Sequence, residues 1–218
     1  MAIIKHKEQR VGVFIDTQNL YHSAKNLYQR KVNFGKVVED AVGGRSLIRA
    51  LAYVITSESG EEQNFFDALT KTGIETKTKD LIIFSSGSKK GDWDVGLAVD
   101  AITMAPKLDT VILITGDGDF KPLIEYLQTN QGCQVEVISF GRSSSHLVKE
   151  AADDFVDLDK EPHKYLIGYR QQKSRPVKKQ QPEQRKQQNR QQKSRPVKKI
   201  TKKVENQIIR EPKEDAAK

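Results

Sequence analysis

Short apolar runs, several ending on a carboxylate and each handing over to a helix-patterned stretch, set the tightest limit on how this chain folds. Val11-Gly-Val-Phe-Ile15 ends at Asp16 and precedes a helical stretch from Thr17 to about Arg30. Leu47 to Ile55 is a second apolar run, followed by a helix over Glu61 to Thr72 with Phe65, Phe66 and Leu69 on one face. Leu81-Ile-Ile-Phe84 reads as a third strand, and Asp92 to Ala105 as a helix carrying Leu97, Ala98, Ala101 and Ile102. Thr110 to Thr115 is the fourth strand, Phe120 to Thr129 a helix, and Val135 to Ser139 the fifth strand. Ser143 or Ser144 caps a last helix through about Ala152. Strands this uniformly apolar, separated by helices, predict a five-stranded, mainly parallel sheet covered on both faces. A doubly wound sheet of this kind has strand order 3-2-1-4-5, and the expected domain spans residues 1–160.

Charge divides the chain in two. Residues 1–159 carry 18 Lys and Arg against 23 Asp and Glu, a net of −5, whereas residues 160–218 carry 19 against 6, a net of +13. Beyond Arg170 the chain is rich in Gln, Lys and Arg, and Arg170–Lys179 recurs letter for letter at residues 190–199. Such a segment buries too little apolar surface to offset its ordering entropy, so residues 161–218 are expected to be a disordered basic tail. No apolar run approaches the roughly 18 residues of a membrane span. The charged stretch Met1–Arg10 lacks the apolar core of a secretory signal. A lone cysteine, Cys133, excludes a disulfide framework and a multi-cysteine zinc site. These features fit a cytoplasmic protein with no membrane partner.

The acidic residues fall at telling places. In a doubly wound sheet, ligands bind outside the carboxyl ends of the strands where strand order reverses. Strands one and four are neighbours there, so Asp16 and Asp117 are expected to face each other, with Asp119 two residues on. The helix that opens near Asp92 and Asp94 points its N-terminus toward the same edge. Carboxylates gathered this closely repel one another by about 1–4 kcal/mol per pair, and a divalent cation relieves the conflict. All-oxygen ligands suit Mg²⁺ or Mn²⁺, which serve in phosphoryl-transfer nucleases to activate water.

Three blocks in order, FIDTQNL (14–20), KKGDWDVGLAVDA (89–101) and TGDGDFKPLI (115–124), resemble the NYN domain, a PIN-like ribonuclease family, and its LabA-like branch above all. The resemblance covers about Arg10 to Asp159. It implies a Rossmann-like three-layer α/β/α fold of the PIN type, RNA as partner and substrate, metal-dependent cleavage by Mg²⁺ or Mn²⁺, and pairing into a homodimer. Carried over position by position, Asp16, Asp94, Asp117 and Asp119 are the implied catalytic and metal-holding acids. Asn19 matches the family's nearby Asn, and Lys90 and Thr115 are candidate contacts to an RNA phosphate. Because Lys90-Gly91 is followed by Asp92-Trp93-Asp94, either Asp92 or Asp94 faces the metal, Asp94 keeping the better register. Glu39 and Asp40 are positional candidates for a further acid.

Plainer roles stand beside these. Asp16 could be an N-cap, Asp119 could cap the helix at Phe120, Lys89 and Lys90 could be a solvated pair, and Thr115 could simply end its strand. Asp100, six residues beyond Asp94 and about 120° around a helix, cannot share its face and reads as a structural hydrogen bond. Trp93 reads as packing on the sheet, Cys133 as a small apolar residue, and the four histidines show no ligand spacing. Neither GxGxxG nor a P-loop occurs. A dehalogenase-type phosphatase would want Asp-x-Asp after strand one, where this chain has Asp16-Thr-Gln18. The two leading readings are a metal-dependent endoribonuclease and an RNA-binding or regulatory protein on the same fold, with the basic tail as an electrostatic tether.

Overall fold

Residues 11–15 form the middle of the sheet because the segment is apolar on both faces. In the computed structural model, which describes residues 3–56, 63–80, 82–83 and 89–169, Val11, Val13, Phe14 and Ile15 are fully buried. This strand, β1 (Arg10–Asp16), leads to α1 (Thr17–Tyr28), α2 (Phe34–Val42) and β2 (Ser46–Thr56). Then follow α3 (Gln63–Lys71), β3 (Glu75–Asp80), the short strands β4 (Ile82–Ile83) and β5 (Lys89–Lys90), and α4 (Asp94–Met104). The rest is β6 (Thr110–Ile114), α5 (Lys121–Gln131), β7 (Gln134–Ser139), α6 (His146–Ala151), β8 (Asp154–Asp157) and α7 (Pro162–Tyr165).

Six strands, not five, make one parallel sheet in the order β3-β2-β1-β6-β7-β8. Two corrections to the sequence reading follow. The third strand is Glu75–Asp80, paired with Leu51–Thr56, whereas Ile82–Ile83 pairs antiparallel with Lys89–Lys90 in a separate ribbon. The sixth strand, Asp154–Asp157, closes the far edge beside β7. Both additions are polar edge strands, and an edge strand with an exposed face needs no apolar run. Helix α2 was likewise absent from that reading, although Phe34, Val37, Val38, Ala41 and Val42 lie at helical spacing behind an Asn33 cap.

The sheet's alternation divides the core. Val13 and Ile15 face α1, α2, α3 and α7 in one cluster. Phe14, with Leu113 of β6, faces α4, α5 and Val148 of α6 in the other. Each large side chain so buried stabilises the fold by about 1.5–3 kcal/mol. Residues 162–169 continue the domain: the Asn33 N–H donates to Tyr165 O at 2.8 Å, and the Ile167 N–H to Lys31 O at 2.8 Å. The basic segment 170–218 lies outside the described residues. Among the described residues, no helix is long and apolar enough to cross a membrane.

Candidate active site

Strand order reverses between β1 and β6, and both strands end there in polar residues. Asp16 closes β1 and caps α1: its Oδ1 accepts from the Asn19 N–H at 3.0 Å. Its Oδ2 accepts from the Thr115 hydroxyl at 3.2 Å. Asp16 is therefore the N-cap of α1 through one oxygen, and its other oxygen is turned to Thr115 just past β6. Thr115, fully buried, also accepts from the Asp117 N–H at 3.2 Å. Asn19 reaches across to β6, where its Oδ1 accepts from the Gly116 N–H at 2.9 Å. Gly116 O in turn accepts from the Ser145 N–H at 2.8 Å. The peptides on either side of Gly116 are thus held from the β1 side and the β7 side, which sets where Asp117 points.

Asp117 is the cap of the short 3₁₀ turn Gly118–Phe120, accepting from the Asp119 N–H at 3.0 Å. Asp119 is exposed and does not cap α5. Asp94 is the first residue of α4 and is partly buried. Its carboxyl is pushed up to about 6, first by burial and then by the charges of Asp16, Asp117, Asp92 and Asp119. Burial also raises Asp16, against the hydrogen bonds from Asn19 and Thr115. Five carboxylates from three separate chain segments thus share one electrostatic neighbourhood. Asp94 is the partly buried member of the Asp92–Asp94 pair, and Asp92 is exposed.

Other side chains fall outside this cluster. Asp100 accepts from the Tyr53 hydroxyl at 2.7 Å and from Lys77 Nζ at 2.6 Å. Trp93 donates from its indole nitrogen to Val54 O at 3.0 Å and packs on Tyr53 with ring centroids 5.5 Å apart. These bonds fasten the start of α4 to β2 and so position Asp94. Gly96 is required here, since a Cβ would stand 2.6 Å from the Trp93 ring. Asp40 pairs with Lys36 and Lys164 instead of joining the acids, and Glu39 pairs with Lys36. Lys90 belongs to the β4–β5 ribbon. The serines walling the Gly116–Asp119 loop escaped the sequence reading. A Cβ on Gly116 would stand 2.7 Å from Ser144 Oγ and 2.9 Å from Ser139 Oγ, and one on Gly118 2.7 Å from Ser145 Oγ. The Ser143-Ser-Ser145 run was their only local signal, and Ser145, not Ser143 or Ser144, caps α6.

The NYN domain model matches residues 10–159, the span that contains every one of these acids. The chain belongs to the NYN-domain family. The NYN family is a PIN-like nuclease family, and the six-stranded parallel sheet is consistent with that fold. The chain is 26% identical over 164 residues to the low amplitude and bright protein LabA of Synechococcus elongatus, covering 70% of this chain and 86% of that protein. It also resembles the crystal structure of VPA0982, a protein of unknown function from Vibrio parahaemolyticus. That match has a TM-score of 0.68 and 32% identity, covering 76% of this chain and all of the other.

The donor set of this NYN domain suits a hard cation. Among the described residues none of the five carboxylates is in a salt bridge, and burial together with the neighbouring acids raises the Asp94 carboxyl. Among the described residues no three His, Cys, Asp or Glu side chains are grouped as a ready-made metal cage.

Proposed function

We propose that this NYN protein is a metal-dependent endoribonuclease whose centre is Asp16, Asp94, Asp117 and Asp119. Those four would hold Mg²⁺ or Mn²⁺ directly or through water. The observation that carries the reading is the convergence of Asp16, the Asp92–Asp94 pair and the Asp117–Asp119 pair at the carboxyl ends of β1 and β6, where burial first and the neighbouring acids second push the Asp94 carboxyl up to about 6. When bound, the cation supplies the attacking hydroxide and offsets charge on the scissile phosphate. The chain's own residues do the positioning. The Thr115 hydroxyl orients Asp16, and Asn19 pins the Gly116 peptide so that Asp117 cannot swing away. Asn19 and Lys90 are assigned to the substrate side, Lys90 to an RNA phosphate, whereas Thr115, expected to contact substrate, is fully buried against Asp16 and the Asp117 N–H and acts through them. Pairing into a homodimer and tethering of RNA by the basic tail complete the proposal.

A second reading has one observation in its favour: the described carboxylates do not form a ready-made cage. On that reading the chain binds RNA without useful turnover. Incubating labelled single-stranded RNA with the full chain and Mg²⁺, Mn²⁺ or EDTA separates the two. Cleavage that needs metal and falls roughly 100-fold or more in Asp117→Asn supports the nuclease. Equal RNA binding by both proteins with no cutting by either supports the binding protein. A small phosphate ester in parallel reports any phosphatase activity.

A further inference from the structure

A cleft of about 740 Å³ opens between α1 and α3, at the carboxyl end of β2. It begins one residue from the acidic cluster, since Thr17 and Gln18 line it and Asp16 precedes them. Its character is the opposite of the cluster's. No described Asp or Glu lines it, although the domain as a whole is acidic. Tyr21 stands at its mouth, 41% exposed, and meets His22 edge to face with centroids 5.4 Å apart. Lys25 sits over the Tyr21 ring at 5.6 Å. Phe65 lines the cleft, its ring 5.4 Å from Phe34. Gln18, Lys31, Asn33 and Asn64 are among its polar lining residues.

We propose that this cleft takes an unpaired nucleobase of the RNA whose backbone lies against the carboxylates. The inference rests on the RNA-directed reading above and adds where the chain grips its substrate. Three features select a base over other occupants. Exposed aromatic rings stack on base faces, which is how proteins take single-stranded RNA. Amides both donate and accept, matching the mixed edges of a base. Lys31 in the described lining attracts the phosphates flanking that base, whereas the neighbouring acids repel RNA unless a cation intervenes. The cleft therefore supplies binding that does not depend on metal.

The test is the affinity of the full-length chain for a labelled single-stranded RNA in EDTA, where no cleavage interferes. Tyr21→Ala and Asn64→Asp are the variants, both at exposed positions so that thermal unfolding stays close to the parent's. Each is expected to weaken binding about tenfold, the scale of losing one stacked base. An abasic RNA of equal length is expected to bind the parent as weakly as the intact RNA binds Tyr21→Ala. RNA binding by the parent that neither variant weakens overturns the base cleft and leaves the ribonuclease reading standing. No RNA binding by the parent in EDTA overturns the base cleft, and the ribonuclease reading then stands or falls on the metal-dependent cleavage assay. A variant that changes sedimentation while RNA affinity holds makes the cleft a protein interface and overturns the proposal.

Discussion

Burial and four neighbouring acids raise the Asp94 carboxyl well above the usual carboxylate range. It titrates near 3.8 in an unfolded chain and at about 6 in the fold. The folded state therefore keeps the proton over a range in which the unfolded state has released it. The stability linked to this group is complete below pH 4 and is lost as the pH rises through 6. The raised Asp16 carboxyl acts with the same sign. Discounted for partial exposure, the Asp94 effect is about 1–2 kcal/mol. In EDTA, Asp94→Asn is expected to raise Tm at pH 7.5 by roughly 2–6 °C and to leave it nearly unchanged at pH 4. Thermal scans at the two pH values decide this, and an equal shift at both would refute the electrostatic account. Mg²⁺ or Mn²⁺ is expected to raise the parent's Tm at pH 7.5 and to do much less for Asp94→Asn.

Two contacts decide whether the elements bring the acids together. The β6–α5 turn passes so close to β7 that Gly116 admits no side chain. Gly116→Ala drives a Cβ to 3.0 Å from the Ser144 backbone as well as onto two serine hydroxyls. A cost of about 1–3 kcal/mol is expected from urea unfolding, together with a displaced Asp117 and lost cleavage. Trimming Ser144→Ala in the same chain should recover only part, because the backbone contact remains. The second contact is α4 on the sheet. Tyr53 is buried and donates to the partly exposed Asp100. Tyr53→Phe should cost about 1–2 kcal/mol, read from urea unfolding. Because that bond seats the helix bearing Asp94, cleavage should fall more than RNA binding does.

Across the whole molecule, charge is managed at both ends of the sheet. At the amino end, Glu136 is fully buried and takes a two-pronged contact from Arg45, itself 3% exposed. Arg45 also donates to Ala41 O and Val42 O, tying α2 to β7 across the domain. Arg45→Met leaves the buried carboxylate only Lys5 and the Gln134 side-chain amide as described partners, and a loss of about 3–5 kcal/mol is expected in urea unfolding. Adding Glu136→Gln should restore much of it. At the carboxyl end the acids stand without a described counter-ion. The +13 segment supplies charge of the opposite sign in the same chain. Removing residues 170–218 is expected to weaken RNA binding at low salt and flatten its salt dependence. Unchanged affinity would dispose of the tether.

Asp16, Asp117 and Asp119 were legible in the sequence because each follows an apolar strand, and a strand that must be buried on both faces announces itself locally. The same signal placed β1, β2, β6 and β7, and the three motif blocks placed the family. Glu75–Asp80 and Asp154–Asp157 stayed hidden because edge strands pair on one side only and tolerate polar residues. Of Leu81–Phe84, apolar enough to read as a strand, the two described residues, Ile82 and Ile83, pair with Lys89–Lys90 in a ribbon separate from the sheet. The electrostatic coupling of Asp94 to Asp16 and Asp117, which lie far apart in sequence, is a tertiary fact. So are the closeness of Gly116 to the serines of the β7–α6 turn and the cleft between α1 and α3. Apolar patterning is a property of neighbours along the chain, so sequence alone determined the layers and the ends of the central strands. Burial and charge coupling depend on neighbours in space, and only the packed domain decided them.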